Sequence, residues 1–434
     1  MHRPRKHPNR RDAAQNIAIT LLSVLAVVLF ARTQLYSLSP EGSILGRWFH
    51  AAPSITSPLP AEESGVLSAP VRAVVSGTYG RYGDLTLSTD DPDAFGRPLS
   101  TLLSEALGSA KSFSPCSQEE FQEALSRPSL YYDFFNPLPL SVLADLIDLA
   151  DSTAPDSISA RQLVISGPES GVVQLLLWDG ASGYLRCDTA IKASRLADAV
   201  SRYELGNAFF ASDQSDSNQL FTQVSPRSLF LSPMPQLPVL SVSSPSADTD
   251  QVLTLLGFSP YTNSRYKEST GTEVIVEGDQ SLRLLTDGRI RYQSGGRETL
   301  SIPAQGETPT LQEAADGTAR LLNQLLNGSA GDASLYLLEI RQSELATTLR
   351  FGYQCDGVPI RFTDGSAAAE VRLSGTAVSS LSLRLRQYTA KSASAAVLPL
   401  EQAIAIAAQQ PVGELSLAYT DSGSSQADVS WLLD

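Results

Sequence analysis

The stretch from Ala13 to Ala31 constrains this chain more than any other, because nineteen consecutive residues there carry no formal charge. About twenty such residues carry a helix across roughly 30 Å of hydrocarbon. The sequence therefore predicts a cytoplasmic basic tail over 1–12 and a transmembrane anchor helix over 13–35. An extracytoplasmic linker rich in Ser, Pro and Ala follows over 36–66. Arg3, Arg5, Lys6, Arg10 and Arg11 precede the apolar run against Asp12 alone. That excess of positive residues keeps the N-terminus in the cytoplasm, so a single-pass protein of the cell membrane with an extracellular C-terminal region is expected. A cleaved signal peptide is the competing reading. It wants small residues at −3 and −1, and a cut after Ala31 places Leu29 at −3.

Beyond the anchor the balance of charge changes. Of 32 basic residues six lie at or before position 32, and of 46 acidic residues one does. The remainder holds 26 basic against 45 acidic residues, a net of about −19. So acidic a surface repels nucleic acid and anionic lipid. The three histidines are His2, His7 and His50, so the folded region carries no imidazole. Ser-His-Asp and Cys-His nucleophile pairs and most zinc sites are thereby excluded. Cys116, Cys187 and Cys355 match no metal spacing. They read as small buried residues, with a Cys116–Cys187 bridge left open. No cofactor or metal motif is found.

The folded region reads as α+β: antiparallel sheets with helices packed on one face. A first domain is expected over 67–235. Its strands fall at 71–75, 162–166, 172–178 and 184–188, and a helix opens with the Ser117/Glu120 capping box. The Pro- and Ser-rich passage 225–246 marks a boundary, followed by a middle domain over 236–305. A C-terminal domain over 306–434 begins with a second capping box, Thr310/Glu313. An antiparallel meander follows through 334–386, then a helix over 399–409 and two closing strands. Leu381, Leu383 and Leu385 alternate with Ser380, Ser382, Arg384 and Arg386, so the leucines are expected to face the helices.

Three motifs invite chemistry and each has a plainer reading. Ser264–Lys267 matches S-x-x-K, but no K-T-G accompanies it and the stretch reads as a loop. Gly77, Gly80 and Gly83 recur without the G-x-G-x-x-G spacing of a phosphate loop. Asp90, Asp91, Asp93 and Gly96 suggest a calcium loop, yet Leu102 stands where the twelfth-position Glu belongs.

The arrangement of a basic tail, one anchor and an acidic α+β ectodomain resembles the YycH and YycI regulators of low-GC Gram-positive bacteria. Leu255–Tyr261, Thr272–Val276 and Leu284–Gly288 look like the middle domain of YycH. Phe351–Ile360, Arg384–Tyr388 and Ser430–Trp431 look like the module shared by YycH and YycI, which makes 306–434 YycI-like. The resemblance implies a non-enzymatic protein that contacts a WalK-like sensor histidine kinase and a YycI-like membrane protein in a system controlling cell-wall metabolism. An extracytoplasmic ligand-binding sensor and a cell-wall-acting enzyme with paired carboxylates are the alternatives.

Two partner surfaces follow from the residues. If the meander pairs in sequence order, Arg350, Arg372, Arg384 and Arg386 share one face, which an acidic partner would recognise. The plainer reading is a solvated face balanced by Glu370. In the anchor, Asn16, Thr20, Ser23 and Val27 fall at i, i+4, i+7 and i+11, gathering its central polar groups into one stripe. Interhelical hydrogen bonds in lipid are worth roughly 0.6 kcal/mol each, up to ~2. Thr20 and Ser23 bonding their own backbone carbonyls is the competing account. Replacing Thr20 and Ser23 by Leu is expected to reduce helix association in a membrane two-hybrid assay, whereas Leu22 and Leu25 exchanged for Ile leave it unchanged. Equal behaviour of the two pairs would reduce the anchor to a tether.

Overall fold

The structure, a computed structural model, describes residues 72–77, 80–85, 97–145, 154–167, 171–181, 183–259, 261–296 and 300–434. The tail, the anchor with Asn16, Thr20 and Ser23, the linker, and Asp90, Asp91 and Asp93 lie outside them. Among the described residues no helix is long and apolar enough to cross a membrane.

The chain builds two mostly antiparallel sheets one after the other. The first uses β1 (Arg72–Ser76), β2 (Tyr82–Asp84), β3 (Ser114–Pro115), β4 (Ser129–Pro139), β5 (Ser159–Ser166), β6 (Val172–Trp178), β7 (Tyr184–Lys192), β8 (Ala208–Phe210) and β9 (Leu229–Leu231). Their order is β3-β7-β6-β5-β4-β1-β2-β8-β9. Helices α1 (Arg97–Ser109), α2 (Gln118–Leu125), α3 (Leu140–Asp145), α4 (Ala193–Val200) and α5 (Ala211–Gln214) interleave with these strands. The expected capping box opens α2: Ser117 Oγ accepts from Glu120 N at 3.1 Å and Glu120 Oε2 from Ser117 N at 2.8 Å. Phe121, Ala124 and Leu125 then face the sheet, where Tyr131, Val164 and Leu176 receive them.

The second sheet uses β10 (Pro238–Ser243), β11 (Ser264–Lys267), β12 (Glu273–Glu277), β13 (Gln280–Leu284), β14 (Arg289–Gln293), β15 (Ser334–Gln342), β16 (Thr347–Cys355), β17 (Val358–Phe362), β18 (Ala369–Ser374), β19 (Ala377–Arg384), β20 (Gln387–Ser394), β21 (Leu415–Asp421) and β22 (Gln426–Leu433). The order is β11-β12-β13-β14-β19-β18-β16-β17-β21-β22-β10-β20, with β15 on β16. Only β17 and β21 pair in parallel among these registers. Helices α6 (Thr249–Leu255), α7 (Leu311–Leu326) and α8 (Leu400–Ala407) belong to this half. The Thr310/Glu313 box caps α7, and Asn327 ends it in the left-handed conformation at φ 46°. Between β16 and β17, Asp356 and Gly357 sit at φ 49° and 77°, the two positive values a two-residue hairpin turn requires.

Period-two alternation governs the second sheet. Leu349, Val371, Leu381, Tyr292, Leu282 and Ile275 stand opposite one another in a single row across six strands, and all are buried. Helix α7 packs against β15, β16 and β18. Leu381, Leu383 and Leu385 are buried as expected, and β19 is a strand. It ends at Arg384, two residues before the expected limit.

The boundary expected near 235 falls between β9 and β10, where the chain passes from one sheet to the other. The boundary expected at 305/306 falls within a single sheet. Strand β14 of the expected middle domain pairs with β19 of the expected C-terminal one over five residues, so the two share one core. The sheets also touch each other: β4 lies against β15, and Gln312 Nε2 donates to Ser141 O at 2.8 Å. Leu282 and Leu383 are both fully buried. Truncating either to Ala is expected to lower one common urea unfolding transition by roughly 2–5 kcal/mol. A separate transition for Leu282→Ala would restore the boundary at 305.

Candidate functional site: an arginine face and a buried charge seam

The face of the second sheet opposite the leucine row gathers arginines. Register places Glu339, Arg350, Glu370, Ser382, Arg291 and Arg283 in one row. Arg341, Thr348, Arg372, Ser380 and Gln293 form the next. Arg289 and Arg384 face each other in a third. Seven guanidinium groups thus share one face of a chain whose formal charge is −14.

Most of them are held by carboxylates. Arg350 lies between Glu339 at 3.3 Å and Glu370 at 3.6 Å. Arg384 is 2.6 Å from Asp364 and stacks over the Phe362 ring at 4.3 Å. Arg289 is 2.6 Å from Asp287, and Arg283 is 3.1 Å from Glu268. Hydrogen bonds from Ser366 and Arg384 hold the Asp364 carboxyl well below the usual carboxylate range. Exposed ion pairs of this kind contribute little to stability. Their effect is to fix the guanidinium planes. Among the described residues, Arg291 and Arg372 are exposed and lie in no ion pair.

Three of the four arginines expected on this face are there: Arg350, Arg372 and Arg384. Arg386 is not. It is 8% exposed and binds Asp421 with both edges of a fork, Nε to Oδ2 at 2.9 Å and Nη2 to Oδ1 at 2.7 Å. Tyr388 adds a hydroxyl to Asp421 Oδ2 at 2.9 Å, and Arg386 Nη1 reaches Ser244 Oγ at 2.6 Å. Strict alternation would have put Arg386 with Arg384. It fails because the strand ends at Arg384 and the chain turns toward β20. Sequence reading also missed Arg283, Arg289, Arg291 and Arg341, because only the β14–β19 register brings the first three beside the meander. Arg341 at the end of β15 carries the alternation signal that would have found it.

A second charged cluster sits in the first sheet, where the chain's last strands meet it. Asp133 on β4 accepts from Gln162 Nε2 at 3.1 Å, Tyr131 Oη at 3.2 Å and Phe135 N at 2.7 Å. Arg161 on β5 lies 3.4 Å from Asp133 and 3.1 Å from Glu414, which precedes β21. Gln162 Nε2 also reaches Glu414 Oε2 at 3.1 Å. Burial, then the nearby Asp133 charge, pushes the Glu414 carboxyl up to about 8, although Arg161 and Arg227 oppose this. Burial also acts on Asp133, but Arg161, a hydrogen bond from Glu414, the Phe135 amide and Arg72 outweigh it and hold that carboxyl low. The two shifts run in opposite directions, so Glu414 holds a proton more readily than Asp133 does. Asp133 and Glu414 are 2% and 6% exposed, so this carboxylate pair is closed in by its own partners.

The remaining motifs resolve structurally. Ser264–Lys267 is the edge strand β11, not a loop. Ser264 and Lys267 are three apart in a strand, so they point to opposite faces and make no nucleophile–base pair. A Cβ at Gly83 would collide with the Glu204 carbonyl and one at Gly77 with Leu205, so these glycines admit a neighbouring segment. All three thiols are free; burial raises Cys187 to about 11 and Cys355 to about 12.

No family model, curated protein or solved structure matches this chain.

The carboxylate pair sets a pH dependence. Glu414 has its folded pKa raised above the ordinary Glu value, so folding takes up a proton and stability falls as pH rises from that value through about 8. Asp133 acts oppositely, its contribution being lost as pH falls through its lowered folded pKa. The alkaline limb has a slope of at most about 1.4 kcal/mol per pH unit for one proton. Glu414→Gln is expected to flatten thermal stability between about pH 5 and 8, measured by calorimetry. A limb as steep as in the unaltered chain would exclude Glu414 as its source.

Proposed function

We propose that this chain is a membrane-anchored extracytoplasmic regulator resembling YycH, with one transmembrane helix ahead of an ectodomain built on two sheets. On this reading it acts through protein–protein contacts, not through catalysis. Its arginine face docks an acidic surface of a WalK-like sensor histidine kinase, or of a YycI-like membrane protein that works with that kinase. The observation that carries the reading is seven arginines on one open sheet face of an acidic chain, two of them free of ion pairs among the described residues. Five are oriented by carboxylates, so little side-chain freedom remains to be lost on binding. Charge complementarity of this kind contributes more to specificity and association rate than to affinity, and it weakens with salt.

The test uses the two unpaired arginines. Arg386 is unsuitable, because reversing its charge beside Asp421 would disrupt the core. Arg291→Glu with Arg372→Glu is expected to weaken capture of the kinase by on the order of tenfold, with added salt mimicking the effect. The melting temperature should stay nearly constant, since both residues are exposed. Capture unchanged by the double reversal would remove the arginine face from the contact.

A further inference from the structure

Helix α8 and strand β22 leave a groove of about 390 Å3 between them. Leu398, Ala403, Ile406 and Ala407 form one wall, and Val429 to Leu433 run along the other. No residue lining it carries a charge. Between Lys391 and Glu414 the one charged residue is Glu401, in a chain of formal charge −14. Among the described residues seven large apolar or aromatic side chains are exposed, and Leu398, Ile406 and Val412 are three of them. An exposed apolar patch of this kind marks a contact surface.

The backbone of β22 shows what such a contact must supply. Glu414 and Asp434 exchange both of their backbone hydrogen bonds, at 2.9 and 3.0 Å. Bonded pairs recur at every second residue of an antiparallel ladder. Leu432, Ser430 and Asp428 therefore bond β21, while Leu433, Trp431 and Val429 turn their N–H and C=O groups to the opposite edge. Strand β10 pairs along that edge at Ala427 and Gln426. Among the described residues no strand lies beside Val429 to Leu433. Trp431 Nε1 donates to Leu398 O at 2.9 Å and so holds the segment before α8 against the strand.

Exposed edges are ordinarily guarded by charge, proline or a bulge. Strand β11 follows that rule, with Arg265 and Lys267 on its exposed length. Val429–Ser430–Trp431–Leu432–Leu433 has neither charge nor proline, and its register with β21 is unbroken. An unguarded edge beside an apolar groove is the arrangement that accepts an added strand: main-chain bonds hold it and the groove reads alternate side chains. A charged side chain entering there would lose its water and meet no counter-charge, so complementarity asks for an uncharged segment. A second copy fits less well. Its β22 brings α8 along the same edge, and two chains of formal charge −14 repel each other.

We propose that the groove between α8 and the open edge of β22 binds an uncharged, apolar segment of another protein, which adds to β22 as an extended strand. The segment exchanges backbone hydrogen bonds with Val429, Trp431 and Leu433, and every second side chain enters the groove against Ile406 and Ala407. This surface involves none of the seven arginines and does not rest on the regulatory reading.

The probe is a dye-labelled, end-blocked hexapeptide of alternating Thr and Val. It is titrated against the full-length chain in lipid nanodiscs, since free detergent would compete for an apolar groove. Fluorescence anisotropy is expected to rise to saturation. Ile406→Glu places a charge in the groove from a position 53% exposed, so the fold persists while binding weakens about tenfold or more. Leu398→Glu, at 49% exposure, is the second variant and should act alike. An added strand bonds its neighbour through the amides of alternate residues. Methylating all Val amides or all Thr amides is therefore expected to abolish binding in one peptide and leave it in the other. Absence of saturable binding, binding kept by both Glu variants, or equal behaviour of the two methylated peptides would overturn the strand addition. So would a dimer of the chain that the peptide dissociates and Ile406→Glu abolishes, which would assign the edge to a second copy. Arg291→Glu with Arg372→Glu is expected to leave peptide binding unchanged, so the two surfaces stand or fall separately.

Discussion

Strand β19 lies between β14 and β18, and its two faces must satisfy opposite environments. Leu381 and Leu383 lie on the apolar face, while Ser380, Ser382 and Arg384 point to the other side. A slip of one residue would bury Arg384 and expose Leu383, so burial fixes the register strongly. Once β19 is fixed, β14 is placed against it, and the arginines of β13 and β14 come to lie beside those of β16 and β18. The cationic face follows from the burial of the opposite one. Its polar residues were free to vary chemically, and arginine occupies seven of those positions.

Electrostatics works differently at the two depths of this molecule. On the open face, paired charges lie in water and contribute mainly orientation. Around Asp133, Arg161 and Glu414 the charges are out of water, and each must be compensated. The solution is a guanidinium beside both carboxylates and an amide from Gln162 bridging them. The Arg386–Asp421–Tyr388 group uses a two-edged fork instead, and it ties the β19–β20 turn to β21. Removing Arg161 from the first group, or Arg386 or Asp421 from the second, leaves an uncompensated buried charge, which costs more than the intact group contributes.

Local patterns made much of the fold legible. The capping boxes at Ser117 and Thr310, the Asp356–Gly357 turn and the alternation through Val371 and Leu381 each carry their own structural instruction. Other elements carry none. Strand β20 reads Gln-Tyr-Thr-Ala-Lys-Ser-Ala-Ser, mostly exposed, and forms because β10 supplies backbone partners from far away in sequence. Strand β11 is short and exposed, and reads as a loop until β12 lies beside it. The inward turn of Arg386 depends on Asp421, and the pairing of Asp133 with Glu414 depends on two segments that only the finished fold brings together. The arginine face was half visible, because alternation places residues on faces while register alone places strands side by side.

The position of β10 carries a consequence for how the chain is made. Ser241 pairs with Thr389, and Leu240 with Ala427, near the last residues of the second sheet. A chain emerging from its N-terminus completes the first sheet early. It then holds β10 without strand partners while well over a hundred further residues are added. Contacts between segments so distant in sequence form slowly. Until β20 arrives, Val239 to Val242 is an apolar strand with two open edges, the kind of segment that associates with other chains. The serines at 241, 243, 244 and 246 and the prolines at 235, 238 and 245 interrupt that segment with residues that disfavour intermolecular pairing. The passage that marks the boundary between the sheets thereby also protects the newborn chain.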